Sequence, residues 1–295
     1  MKSIRSHSPK IAGLLVGCAL VLTALPSFAA STWSDMGGTC GSPGLLMGNS
    51  GNCGVGAGDT VSMSASAFST TMVGNLAGNT FATASLRTFG SSGLGVVNAH
   101  EGAATGPDSV DNQFGTDAIR LTFSKQMNLS QVLIGWNGTD NGNGAGGAGD
   151  SDISILAWVG PGTPGAVAGQ TLQITGAAST AAERTAAQTA STLLTQGWVL
   201  VANASNVGAS NGATAGGTAT GLPAVIYSSY WLISAYNTTF GGTFDNTADY
   251  FKLTGIVGTT NGITNGKVPE PGSLALMGAA LVGMMAMRRR RLVDR

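Results

Sequence analysis

DAIRLTFSKQMNLSQVLIGW, residues 117–136, decides how the rest of the chain is read. In DAIRLTFS, Ile119, Leu121 and Phe123 alternate with Arg120, Thr122 and Ser124. A period of two puts the first set on one face of a strand and the second on the other. QVLIGW repeats the pattern, with Val132, Ile134 and Trp136 alternating with Gln131, Leu133 and Gly135. The intervening KQMNLS is polar and predicts a turn-bearing link between two strands.

Working outward, the chain continues in the same manner. A long polar loop, NGTDNGNGAGGAGD, follows, and SDISILAWVG (151–160) returns as a strand before PGTPG breaks it. TVSMSASAFST (60–70), Leu172–Ile174, GWVLVA (197–202), AVIYSSYWLISAY (224–236) and DYFKLTGIVG (249–258) read as further strands. The one helical candidate inside the domain is Ser179–Gln196, whose alanines favour helix and whose threonines do not. Short β-branched and aromatic runs divided by Gly, Asn and Pro predict a mainly β fold, an antiparallel β-sandwich of jelly-roll type. Regular strand–helix alternation is missing, which excludes a doubly wound sheet.

The 295 residues contain 46 glycines, 43% hydrophobic residues and only 9% charged ones. That combination opposes disorder, which needs high charge and little apolar content. The net charge of zero hides a segregation. Between Ser31 and Lys267 six basic residues face twelve acidic ones, a balance of −6, and the remaining bases sit near the termini. An acidic middle excludes nucleic acid as a partner, because phosphate binding needs a basic patch.

The start of the chain reads as a secretory signal over residues 1–29. Lys2, Arg5 and Lys10 form a positive region, Ile11–Leu25 an apolar one, and Ser27-Phe28-Ala29 the small-residue cleavage site. Leu15-Val16-Gly17-Cys18 has the look of a lipobox, but the apolar run continues past it. Export leaves Cys40 and Cys53, a pair expected to form a disulfide in an oxidising compartment. Closing so short a loop is worth about 3 kcal/mol in the chain-entropy model. The rival reading, two metal ligands, lacks a nearby His.

Catalytic patterns are sparse. After removal of the signal the only histidine is His100, in a polar loop with Glu101, Asp108 and Asp111. This loop is the candidate for a hydrolase, and capping of turns is the plainer account of it. Carboxylate pairing for glycoside cleavage needs only proximity in space, so sequence leaves it open. No metal site is expected with assurance. Asp140, Asp150 and Asp152 around the glycine-rich loop are weak calcium candidates, since flexible oxygen ligands suit a hard cation. Trp136 and Trp158 are expected in the core. Tyr230 and Trp231 are adjacent, so in a regular strand they face opposite sides, and one of them is a candidate sugar platform.

The most specific pattern is the end of the chain, VPEPGSLALMGAALVGMMAMRRRR. Pro269, Glu270 and Pro271 precede an apolar run, Leu274–Met287, and then Arg288, Arg289, Arg290 and Arg291. Those 14 apolar residues span roughly 21 Å as a helix, short of a bilayer core of about 30 Å. The arginines would hold their end in the cytoplasm. The run has no polar face, which counts against a core helix.

This tail resembles the PEP-CTERM sorting signal of Gram-negative bacteria in all three parts and in order. The resemblance implies transient insertion in the inner membrane and recognition by an exosortase. It also implies cleavage near the Pro-Glu-Pro triplet, a place at the cell surface or in the extracellular matrix, and an association with exopolysaccharide and biofilm. The domain ahead of it carries a second resemblance, on GLGVVNAHEG, PDSVDN, DAIRLTFSKQMNLSQVLIGW, DSDISILAWVG, SSYWLISAYN and DYFKLTGIVG. These look like the exosortase-dependent surface proteins of the XDP1 type, over about Gly93–Gly258. Ser109 stands where members of that family often carry a His.

The expected organisation is therefore a signal peptide over 1–29, a β-sandwich over 30–260, a linker over 261–268 and a sorting signal over 269–295. The expected function is a non-enzymatic exported surface or matrix protein without a cofactor. Two other classes compete with it. One is a carbohydrate-binding module that anchors exopolysaccharide, and the other a secreted hydrolase using Glu101, Asp108 and Asp111.

Overall fold

A computed structural model of the chain describes residues 30–57, 60–73, 76–98, 108–112, 115–137, 151–170, 192–208, 217–222, 226–237, 240 and 249–260. The signal segment, the linker and the sorting tail lie outside the described residues. So do Leu172–Ile174 and the predicted helix up to residue 191. The part of that helix within the described residues, Thr192–Gln196, is helical and is labelled α2.

The described chain is mainly antiparallel β. Its strands are β1 (Ala30–Trp33), β2 (Ser50–Val55), β3 (Ser62–Val73), β4 (Leu76–Thr83), β5 (Ser85–Thr88), β6 (Leu94–Val97) and β7 (Val110–Asp111). They continue with β8 (Asp117–Asn137), β9 (Ile153–Trp158), β10 (Trp198–Ala204), β11 (Gly217–Ala219), β12 (Ser228–Ala235) and β13 (Tyr250–Thr260). A one-turn helix, α1 (Met36–Thr39), follows β1, with the Asp35 side chain accepting from Gly38 N at 3.1 Å as its cap. Among the described residues no helix is long and apolar enough to cross a membrane.

The predicted link KQMNLS does not turn the chain. Residues 117–137 form one 21-residue strand, β8, which belongs to both halves of the sheet. Its first half lies between β12 and β3, and its second half between β13 and β11. The strand survives the polar link because Met127 and Leu129 stay buried and paired, while Ser124, Lys125 and Gln126 face solvent. The inward set changes phase from odd numbers (Ile119, Leu121, Phe123) to even ones (Val132, Ile134). The register supplies the reason: Leu129 pairs with Gly258 and Gln131 with Val257, so Ser130 is an extra residue, a β-bulge. One added residue flips every later side chain, and here the flip keeps the apolar set in the core.

All thirteen strands join in one sheet, ordered β10-β9-β12-β8-β13-β6-β5, with β1, β7 and β11 beside β13 and β8, and β2 and β4 beside β3. Both halves of β8 contribute to a single apolar cluster. Ile119, Leu121 and Phe123 meet Val132 and Ile134 there, together with Ile155, Trp231, Ile233, Leu253 and Ile256. A second cluster, on the opposite side of the first half, includes Phe68, Leu156, Trp158, Trp198 and Leu232. Leu193 of α2 and Val167 cover it. Trp158 and Trp198 meet edge to face at 5.9 Å.

Cys40 and Cys53 are bonded to each other, tying the end of α1 to β2. The loop they close presents Leu45 and Leu46 to solvent.

Candidate functional site

Polar residues from five separate sequence stretches converge where β7, the start of β13, the end of β12 and the start of β9 meet. β7 pairs with β13 through Asp111 and Tyr250. The next residue, Asn112, is the hub. Its Nδ2 donates to Asp249 Oδ2 at 2.7 Å and to the Tyr236 carbonyl at 3.1 Å, and its Oδ1 accepts from Asp249 N at 2.9 Å. Asp249 Oδ1 accepts from Asp152 N at 2.7 Å, and Asp152 Oδ1 accepts from Asn206 N at 2.7 Å. Ser151 Oγ donates to the Tyr250 carbonyl at 2.7 Å, and Asn237 Nδ2 to Thr116 Oγ1 at 2.9 Å. Ser109 Oγ donates to Asp111 Oδ2 at 3.2 Å. Buried polar groups are tolerable only when satisfied, and this network satisfies donors and acceptors that segments far apart in sequence bring to one place.

Asp117, at the start of β8, differs from its neighbours. It is fully buried, and neither carboxyl oxygen has a hydrogen bond. Burial, and next the Asp111 carboxylate, push its pKa well above the usual carboxylate range. Ser69, the Asp111 backbone and Asn98 lie near enough to favour the charged form, and burial outweighs them.

The second notable arrangement lies next to the junction. Residues 89–93 form a tight turn, with Phe89 N donating to Gly93 O at 2.9 Å and Gly93 N to Gly90 O at 2.9 Å. Gly135 has no side chain, so the carbonyls of Ser91 and Ser92 can sit directly on β8. Thr254 Oγ1 fixes the turn to β13 by donating to Ser91 O at 3.0 Å. This places the Phe89 ring beside Lys252, whose cross-strand neighbour is Trp136. Lys252 Nζ lies 4.3 Å from the Phe89 ring centroid and 3.8 Å from that of Trp136, within cation–π range of both. Burial lowers its pKa to about 8, against a smaller upward pull from Asp108. Asp108 has a left-handed backbone, φ 43°, and its carboxylate pairs with the Arg87 guanidinium.

The sequence-derived candidates are thus divided. Of the hydrolase loop, His100 and Glu101 lie outside the described residues. Asp108 is engaged by Arg87, and Asp111 is buried against Ser109. Of the calcium candidates, Asp140 and Asp150 lie outside the described residues, and Asp152 is buried within the hydrogen-bond network. Among the described residues no group of three or more His, Cys, Asp or Glu is placed to hold a metal.

Trp231 is completely buried, and its Nε1 is shared between Met127 O at 3.2 Å and Ser228 O at 3.1 Å. An indole with no exposed face cannot stack on a sugar, so Trp231 is a core residue and not a platform. Tyr230 is half-buried, its hydroxyl 3.5 Å from Thr163 Oγ1. Trp136, expected in the core, is only partly buried and lies against the lysine. Sequence reading missed Lys252 altogether. The available signal was a lone cation in the otherwise apolar run YFKLTGIV.

The described residues are thus a β-rich, antiparallel fold with a polar interior. A family model for the PEP-CTERM protein-sorting motif matches residues 267–291. That motif implies export, exosortase-dependent sorting and a place at the cell surface or outside it. No curated protein and no solved structure matches the chain.

Proposed function

We propose that the chain is a non-enzymatic surface or matrix protein whose folded part is a sandwich-like β domain over about residues 30–260. A signal peptide delivers it, and an exosortase cuts the tail near Pro269, Glu270 and Pro271. The PEP-CTERM match carries the sorting half of this reading. The resemblance of the domain to the XDP1-type surface proteins supports the same assignment, as does the use of its motif residues. Asp111, Asn112, Asp152, Asn237 and Asp249 are buried and spent on joining strands. Residues of a catalytic loop would be expected to converge on a cleft instead. Association with exopolysaccharide and biofilm follows from the sorting system that the tail resembles.

Mass spectrometry of surface-located protein tests the assignment. Peptides covering Leu274–Arg295 should be missing from it, and deletion of the host's exosortase should restore them and withdraw the protein from the surface. Intact tail on correctly located protein would overturn the processing model.

A further inference from the structure

Lys252 is the feature of the domain that its own packing does not use up. The ammonium lies between two aromatic rings and makes no hydrogen bond or ion pair with a described residue. The residue is only 7% exposed. A buried cation normally has its donors paired, because desolvation is costly otherwise. Other cations of the domain are placed differently. Lys125 is exposed and donates to Thr60 Oγ1 at 2.8 Å, and the Arg120 guanidinium lies 5.5 Å from the Phe68 ring.

Among the described residues the charged groups beside Lys252 are Asp108 ahead of β7 and its ion-pair partner Arg87 from β5. They are paired with one another, so the local balance among the described residues is one positive charge, in a domain that is otherwise acidic. Arg87 spends Nη1 on Asp108, and its Nε has no hydrogen-bond partner. Phe89 and Trp136 each keep part of their surface exposed. One unpaired ammonium, a guanidinium held nearby by Asp108 and two partly exposed aromatic rings thus share one small patch. A pyranose ring packs its C–H surface against aromatic carbon, and a carboxylate on that ring takes charge-assisted hydrogen bonds from ammonium and guanidinium.

We propose that Phe89, Trp136, Lys252 and Arg87 form a subsite for a carboxylated sugar, a uronic acid unit of an acidic extracellular polysaccharide. This deepens the surface-protein reading by naming the ligand class, and it rests on that reading. Lys252 and Arg87 take the carboxylate, and the rings take the sugar body. Asp108 holds Arg87 in place and disfavours a second acidic group.

The test is binding of oligogalacturonate to the exported protein, followed by calorimetry, beside neutral dextran and inorganic phosphate. The uronate should bind and dextran should not. Lys252→Met keeps the apolar packing and should weaken uronate binding by roughly tenfold or more, the scale of one lost charge-assisted hydrogen bond. Should that variant fail to fold, amine labelling of the wild-type protein replaces it, and oligogalacturonate should protect Lys252. Absence of uronate binding, unchanged affinity in Lys252→Met, or labelling of Lys252 that uronate leaves unaltered would overturn the proposal. Equal competition by inorganic phosphate would also overturn it, because the site would then read charge and not sugar. Tail removal from Lys252→Met, followed in parallel, reports on sorting alone, so failure of the subsite and failure of the surface assignment give different results.

Discussion

Lys252 and Trp136 are cross-strand neighbours whose contact is a cation against a ring face, with 3.8 Å between Nζ and the ring centroid. The pair joins β13 to the second half of β8, and Phe89 closes it from the other side. Burial and the rings act in opposite directions on the ammonium. Burial disfavours the charge, and the rings favour it.

That opposition gives a pH dependence with a definite sign. Below pH 8 Lys252 is protonated in both folded and unfolded chains. Between about 8 and the ordinary value of 10.5 the folded form has released its proton and the unfolded form has not. Stability therefore rises with pH across that window. The full shift corresponds to about 3 kcal/mol, and the two ring contacts, at about 1 kcal/mol each, reduce it. Urea midpoints at pH 7 and pH 10 should differ more for wild type than for Lys252→Met. Identical differences would remove Lys252 as the cause.

Asp117 predicts the opposite slope at the acid end. Its folded pKa is raised, so its contribution is fully present below the unfolded value near 4 and is lost as pH rises through the folded value. Asp117→Asn removes the ionisable group, and should flatten this part of the pH–stability curve and stabilise the domain at neutral pH. A variant that is weaker at neutral pH and keeps the wild-type slope would show instead that Ser69, Asn98 and the Asp111 backbone hold a charged carboxylate.

Asn112 is the hub of the buried network, so its removal should be costly. Asn112→Ala removes the three hydrogen bonds that Asn112 makes with Asp249 Oδ2, Asp249 N and the Tyr236 carbonyl. Each buried hydrogen bond lost costs about 0.5–1.5 kcal/mol, more where a carboxylate accepts it, and a total of about 2–4 kcal/mol is expected in denaturant unfolding. A loss below about 1 kcal/mol would mean that the network is not what holds β7, β12 and β13 together.

Reduction of the Cys40–Cys53 bond should destabilise the domain by about 2–3 kcal/mol. Thermal unfolding with and without reductant checks it. The wild type should respond, and the Cys40→Ser, Cys53→Ser double variant should not.

Much of the fold could be read from residue order. The alternation placed Ile119, Leu121, Phe123, Val132 and Ile134 inward correctly and failed at Trp136, because period two is a direct imprint only where the strand has one buried face. The continuity of β8 could not be read. A bulge at Ser130 and the pairing of Met127 and Leu129 depend on partners in β12 and β13, about a hundred residues away. The site was less legible still. The motif acids attract attention as reactive groups, yet Asp152 and Asp249 have partners in distant segments, Asp111 meets Ser109 two residues away, and burial with hydrogen bonding makes all three structural. Trp231 is buried where strand pattern left it a candidate platform, and Trp136 is partly exposed where the pattern put it in the core. Position along a strand says which face a ring is on, and only the neighbouring strands say whether that face is covered.

The first and last strands also have a geometric consequence. β1 pairs with the far end of β13, Ala30 opposite Thr259 and Trp33 opposite Ile256. The chain thus enters and leaves the described domain at one corner. Anything that grips the polypeptide on either side meets the body of the protein at a shared footing. A load applied to both flanking segments would peel β1 from β13 hydrogen bond by hydrogen bond, and it would pull at the same corner on β8, whose Asn128 and Met127 pair with Thr259 and Thr260.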